Sequence, residues 1–199
     1  MNTTHKKGFT LIELLIVIGI LAVLATVTVL VLNPAQLFAQ ARDSQRLADL
    51  GSIRGAVALY LTTVSDPLLG GTAPDNSDGF VCGTNWGASV SGASSSLSNS
   101  NSPSNAGVRV TDGTGWVAVN LNSMQGGSPL PALPIDPINS TSNNRYYSYG
   151  CDDTNKTFEI NANMESVRYS NGGDDDVETS DGGNNGAFYE VGTEPGLDL

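Results

Sequence analysis

Histidine is nearly missing from this 199-residue sequence, and its one copy, His5, lies ahead of the first apolar run. A chain processed beyond that point has no imidazole, which removes the commonest general base near neutral pH and the commonest zinc ligand. Cysteine is almost as scarce. Cys82 and Cys151 stand far apart, outside any CxxC pair, so they form no zinc site alone, and neither has a histidine for thiol catalysis. Positive charge is short as well: 9 Lys and Arg face 20 Asp and Glu, for a net charge of -11. Phosphate backbones are bound by clustered cations, so no nucleic-acid partner is expected. No glycine loop ends in Lys-Ser/Thr, and no serine sits in a nucleophile elbow. The chain reads as a non-enzyme, and only a glycosidase-like pair of tail carboxylates would revise that.

What the sequence has in plenty is apolar length. Phe9 to Leu32 reads FTLIELLIVIGILAVLATVTVLVL, uncharged except for Glu13. A helix of about 24 residues spans roughly 36 Å, enough for a bilayer core of about 30 Å with some tilt. Lys6 and Lys7 precede it and predict a cytoplasmic N-terminus, with everything after Leu32 outside. A plain signal anchor explains the length and the lysines but leaves Glu13 without a reason. A carboxylate within a span costs about 2.5–3.5 kcal/mol on insertion scales. A cut between Gly8 and Phe9 would place a new α-amine one helical turn from Glu13, and neighbouring subunits could exchange the two charges. Such a pair sets register, because removing one partner leaves a buried charge uncompensated.

The run Lys-Lys-Gly-Phe-Thr-Leu-Ile-Glu-Leu-Leu, residues 6–15, resembles the class III signal of type IV prepilins and type II secretion pseudopilins. The resemblance implies that a prepilin peptidase/N-methyltransferase cuts after Gly8 and methylates Phe9. It also implies that Glu13 neutralises the amine of an adjacent subunit. The expected organisation is a leader over 1–8, a transmembrane and filament-core helix over 9–32, an amphipathic helix over 33–63, and a head over 64–199. The fold class is α+β: a pilin fold with a long N-terminal helix packed on a small antiparallel sheet and a loop-rich C-terminus. One departure is that many type IV pilins carry a proline near the twenty-second mature position, where this chain has Leu30. Its first proline is Pro34, and a kink is expected there.

Leu37, Ala41, Leu47, Leu50, Ile53, Val57 and Leu61 recur at helical spacing and predict one buried stripe. Arg42, Asp43, Arg46 and Asp49 read as a solvated charged face, with salt bridges between subunits as the alternative. Residues 66–107 are rich in Gly, Ser and Asn, and 88–107 reads as a surface loop without a packed core. Two hairpins are expected. The first joins Val108–Val110 to Trp116–Val119. The second joins Arg145–Cys151 to Lys156–Met164, with Phe158, Ile160 and Ala162 facing the core and Glu159 and Asn161 facing water. In an exported chain Cys82 and Cys151 pair into a disulfide closing a loop of about 70 residues, the alternative being two buried thiols. The acidic tail suits calcium, with Asp174, Asp176 and Asp181 as ligands, or else is a solvated loop. No cofactor is required.

The function expected is that of a major pilin or major pseudopilin that polymerises with copies of itself. Its partners would be the membrane, the peptidase, an assembly platform protein and an ATPase. It would be a single-pass inner-membrane protein before assembly and a periplasmic or extracellular filament afterwards. A minor pilin acting as an adhesion module is the alternative, and a membrane-anchored enzyme is the third option.

Overall fold

The computed structural model describes residues 8–70, 80–94 and 103–199. His5, Lys6 and Lys7 lie outside the described residues, as do 71–79 and 95–102 of the stretch rich in Gly, Ser and Asn. The chain divides into two compact units, Met1–Phe38 and Ala39–Leu199. The architecture is α+β, with a helical run from Leu11 to Thr63 and one four-stranded antiparallel sheet, the layout expected of a pilin.

In the first unit, α1 spans Leu11–Leu32. Every described large hydrophobic side chain from Phe9 to Leu32 is exposed, so no core within the unit accounts for the helix. Two of its hydroxyls are satisfied along the helix itself: Thr26 donates to the Ala22 carbonyl at 2.8 Å and Thr28 to that of Ala25 at 2.9 Å. Backbone bonds closed within the segment and hydroxyls closed onto them are what an apolar solvent demands. The helix ends at Asn33, which adopts the left-handed conformation at φ 40°. Pro34 then opens α2, Pro34–Thr63, at the first helical position, where the missing N–H costs nothing. The Asn33 carbonyl accepts from Gln36 and Leu37 at 2.9 and 3.3 Å, which starts the new ladder. The break expected at Pro34 is therefore a change of helix.

In the second unit, α2 buries Ala39, Asp43, Arg46, Leu50, Ile53, Ala56, Val57 and Tyr60. The expected stripe holds at Leu50, Ile53 and Val57 but is rotated upstream, where Leu37 is exposed and two charged residues occupy the buried face. The sheet runs in the order β1 (Gly87–Ala88), β2 (Tyr147–Asp152), β3 (Thr157–Ala162), β4 (Tyr189–Gly192), all antiparallel. β2 and β3 form the expected second hairpin, with Tyr149 opposite Ile160 and Cys151 opposite Phe158. Tyr147, Tyr149, Phe158, Ile160, Ala162 and Val191 share one core with the apolar face of α2. Cys82 and Cys151 are joined, with Cα atoms 4.9 Å apart.

Three expectations fail. Val108–Val110 and Trp116–Val119 are not strands, although the Trp116 amide donates to Val108 O at 2.8 Å. Trp116, Val117, Ala118 and Val119 are all buried, and a pleated strand with one wet face cannot bury consecutive side chains. In the described part of 88–107, expected to lack a packed core, Ala88 and Ala93 join Trp86 and Tyr146 in a small second one, while 95–102 lie outside the described residues. Glu159 and Asn161 do not face water: they are 1% and 0% exposed, because the chain beyond residue 180 supplies β4 and covers that side.

Candidate functional site at the start of the first helix

Sequence reasoning placed the chemistry at Gly8, Phe9 and Glu13, and the structure sets these at the open end of α1. Gly8 and Phe9 are exposed, Phe9 at 83%. A peptide bond at this point is accessible to a protease. Thr10 is the helix N-cap. Its hydroxyl accepts from the Glu13 amide at 3.3 Å, and Glu13 Oε2 in turn accepts from the Thr10 amide and the Thr10 hydroxyl, both at 2.8 Å. This reciprocal capping box satisfies N-terminal donors that the helix leaves open. The sequence reading found no partner for Glu13 within the span and missed Thr10, although Thr-x-x-Glu ahead of an apolar run is a recognisable sign of it. The box is local and solvent-accessible, so opening it costs little. Glu13 can therefore leave Thr10 for a stronger, cationic partner.

The helical run Leu11–Thr63 is the one among the described residues with a stretch long and apolar enough to cross a membrane, at a mean hydropathy of 3.1.

The charged residues of α2 form a second constellation, confined to the head. Arg46 is fully buried. Its Nε and Nη2 donate to Asp136 at 2.5 and 3.0 Å, and its Nη1 donates to Asp43 at 2.7 Å. Asp43 also accepts the amides of Glu165 and Ser166, and Asp136 accepts those of Ile138 and Asn139. Arg42 grips Glu165 through Nε at 2.7 Å and Nη2 at 2.5 Å. In place of the solvated face expected, Asp43 and Arg46 form a buried intramolecular clamp, and the half-buried Arg42 joins it through Glu165. It ties α2 to the proline-rich connector and to the segment after β3. Its donors and acceptors are spent on one another, as a structural network requires, and no reacting group is left free.

The three tail aspartates do not converge. Asp174 is exposed. Asp176 accepts from Gly172, from the Thr179 amide and from the Thr179 hydroxyl. Asp181 accepts from Gly183 at 2.9 Å and Glu190 at 2.7 Å. Among the described residues no three His, Cys, Asp or Glu side chains are grouped to hold a metal ion.

Residues 3–29 match a family model, the prokaryotic N-terminal methylation motif, which is the class III signal of type IV pilins and pseudopilins. The match covers Gly8, Phe9 and Glu13 and ends inside α1. No curated protein and no solved structure matches the chain.

Proposed function

We propose, proceeding from that methylation signal, that the protein is the precursor of a structural filament subunit, a major pilin or major pseudopilin. The observation that carries this reading is the juxtaposition at one helix end. An exposed Gly8–Phe9 bond lies inside a matched processing motif, next to a wholly exposed apolar helix whose one carboxylate is Glu13. In the precursor, Glu13 caps its own helix through Thr10. Cleavage after Gly8 by the peptidase frees the amine of Phe9, which is then methylated. In the filament, Glu13 exchanges its neutral cap for the amine of a neighbouring copy. That contact fixes the axial stagger, since a subunit out of step strands both charges in an apolar core. Burial of α1 is nearly conserved between bilayer and fibre, so transfer needs only a modest push, delivered by an assembly platform and its ATPase.

The test is mass spectrometry of protein recovered from assembled filaments. The expected mass is that of residues 9–199 plus one methyl group, and a chain still carrying Met1 would overturn the proposal. Stoichiometry in the same filaments separates a major subunit from a minor adhesive one.

Calcium binding by Asp174, Asp176 and Asp181 is a separate proposal, supported by the composition of the tail and not by its arrangement, since Asp176 and Asp181 already accept from nearby amides and Asp174 is exposed. A calcium-dependent rise in Tm that Asp181→Ala abolishes would carry it, and no rise removes it.

A further inference from the structure

Asn-x-Ser/Thr, with any residue but proline in the middle, is the acceptor pattern for an N-linked glycan on an exported surface. The sequence carries it at Asn2, Asn139 and Asn155. Asn2 precedes Gly8 and is lost with the leader on cleavage there, so a processed chain keeps the other two. The fold treats these differently. Asn139 is half-buried, and its side-chain amide is engaged at both ends. Nδ2 donates to the Ser89 carbonyl at 3.0 Å, and Oδ1 accepts from the Ser89 hydroxyl at 2.8 Å. Ser89 is itself 0% exposed, so a sugar on Asn139 would take a hydrogen bond from a buried carbonyl.

Asn155 lies at the tip of the β2–β3 hairpin, in the turn closed by the Asp152–Thr157 pair. It is exposed, as is Thr154 before it, and the half-buried Thr157 opens β3. Its Nδ2 donates to Asp152 Oδ2 at 2.7 Å across the open turn, while Asp152 Oδ1 accepts the Thr154 and Asn155 amides at 2.7 and 3.2 Å. Water replaces an exposed bond of this kind at small net cost, which frees the amide. An enzyme that reads the tripeptide must draw out residues 155–157, and doing so breaks the terminal rung of the ladder and no other. Asp153 stands two places ahead of Asn155, a carboxylate that a cationic groove can grip, whereas Pro137 holds that place ahead of Asn139. Asp153 Oδ1 accepts the Leu69 amide at 2.8 Å, which pins the base of the turn to the chain after α2 and leaves the tip presented.

We propose that Asn155 is an N-glycosylation site, which takes an oligosaccharide from a polyprenyl diphosphate donor on the outer side of the membrane. The inference goes beyond filament assembly and rests on the one part of that reading that puts the head outside. In the transfer, Asn155 Nδ2 attacks the anomeric carbon of the sugar. The new carbon–nitrogen bond replaces the bond from that carbon to the diphosphate oxygen. Polyprenyl diphosphate leaves, and one amide hydrogen passes as a proton to a base of the transferase. The hydroxyl of Thr157 is part of what the enzyme reads, which is why the pattern asks for Ser or Thr at that place. A glycan on this tip stands in water, since residues 152–156 are all exposed or half-buried.

A protease digest of the mature protein, recovered from the envelope of the cells that make it, reads the site by mass spectrometry. The peptide bearing Asn155 is expected to carry a glycan, whose mass stands on top of that of the processed polypeptide, and the peptide bearing Asn139 to carry none. Asn155→Gln and Thr157→Val are each expected to lose the glycan entirely, and Thr157→Ser to keep it. Thr157→Val leaves the asparagine in place and puts a β-branched residue in a strand, so the fold survives it. An unmodified Asn155 in the unaltered chain overturns the proposal. So does a glycan that persists in Thr157→Val, or one attached to Asn139 or to a hydroxyl instead. The N-terminal peptide of the same digest answers separately. A methylated Phe9 beside a bare Asn155 leaves the filament reading standing and sinks this one, while a retained Met1 beside a glycosylated Asn155 does the opposite.

Discussion

Arg46 holds Asp136 with two hydrogen bonds, Nε to Oδ2 at 2.5 Å and Nη2 to Oδ1 at 3.0 Å, where neither side chain meets solvent. The two residues are 90 positions apart, so the pair closes a long stretch of chain onto α2. Whether a buried pair beats an apolar one is open in general, but halving it is not. Arg46→Ala is expected to destabilise the head by about 3–5 kcal/mol, as for other buried pairs that lose one partner. Arg46→Met with Asp136→Leu should recover only a small part of that loss, because Asp43 stays buried without its cation and the Ile138 and Asn139 amides lose their acceptor. Urea unfolding of the full chain in detergent, followed through Trp86 and Trp116, measures both.

In the proposed filament subunit Glu13 has two tasks, helix cap and charge partner, which one substitution separates. Glutamine serves in a capping box as well as glutamate does, but carries no charge. Glu13→Gln is therefore expected to leave the α1 helix signal unchanged and membrane insertion at least as favourable, while filament yield collapses. Thr10→Val should do the reverse, weakening the cap by about 1 kcal/mol while filaments still form. Circular dichroism in detergent and electron microscopy of sheared surface material read the two effects.

The Cys82–Cys151 bond closes a separation of 69 residues. Replacing both cysteines by serine is expected to cost about 4 kcal/mol on the chain-entropy model. Unfolding midpoints with and without reductant should show the same loss in the unaltered protein and none in the double variant.

The Arg42–Glu165 pair predicts sensitivity to acid. The hydrogen bonds from Arg42 hold the Glu165 carboxyl below its usual 4.5. A depressed folded value contributes stability that is whole above the unfolded value and disappears as pH falls through the folded one. The unaltered chain should therefore lose more stability between pH 6 and pH 3 than Glu165→Gln does. Thermal melts at the two pH values give the comparison.

The parts of this molecule that were legible in the sequence are those decided within a few residues. The apolar run 9–32, the helix change at Pro34 and the β2–β3 hairpin all rest on local pattern. What stayed hidden depends on distant chain. Arg46 looks like a surface residue until Asp136 and Glu165 arrive from the far side of the sequence. Glu159 and Asn161 alternate with core residues as a wet face should, and it is chain from beyond residue 180, β4 and the Leu199 amide among it, that closes over them. Trp116–Val119 has strand composition, but its burial on consecutive positions is a property of the packed head. At the candidate site the motif around Gly8 was visible, whereas the Thr10 cap was overlooked although it too was local.

The margins of the sheet carry a consequence for assembly. One edge strand is two residues long, Gly87–Ala88, and the other four, Tyr189–Gly192. Short rims offer few unpaired amides and carbonyls for a second head to extend by strand addition. Crowded side by side at high local concentration, such heads have little means of zipping into cross-linked sheets, and the sticky length in the molecule is left to α1.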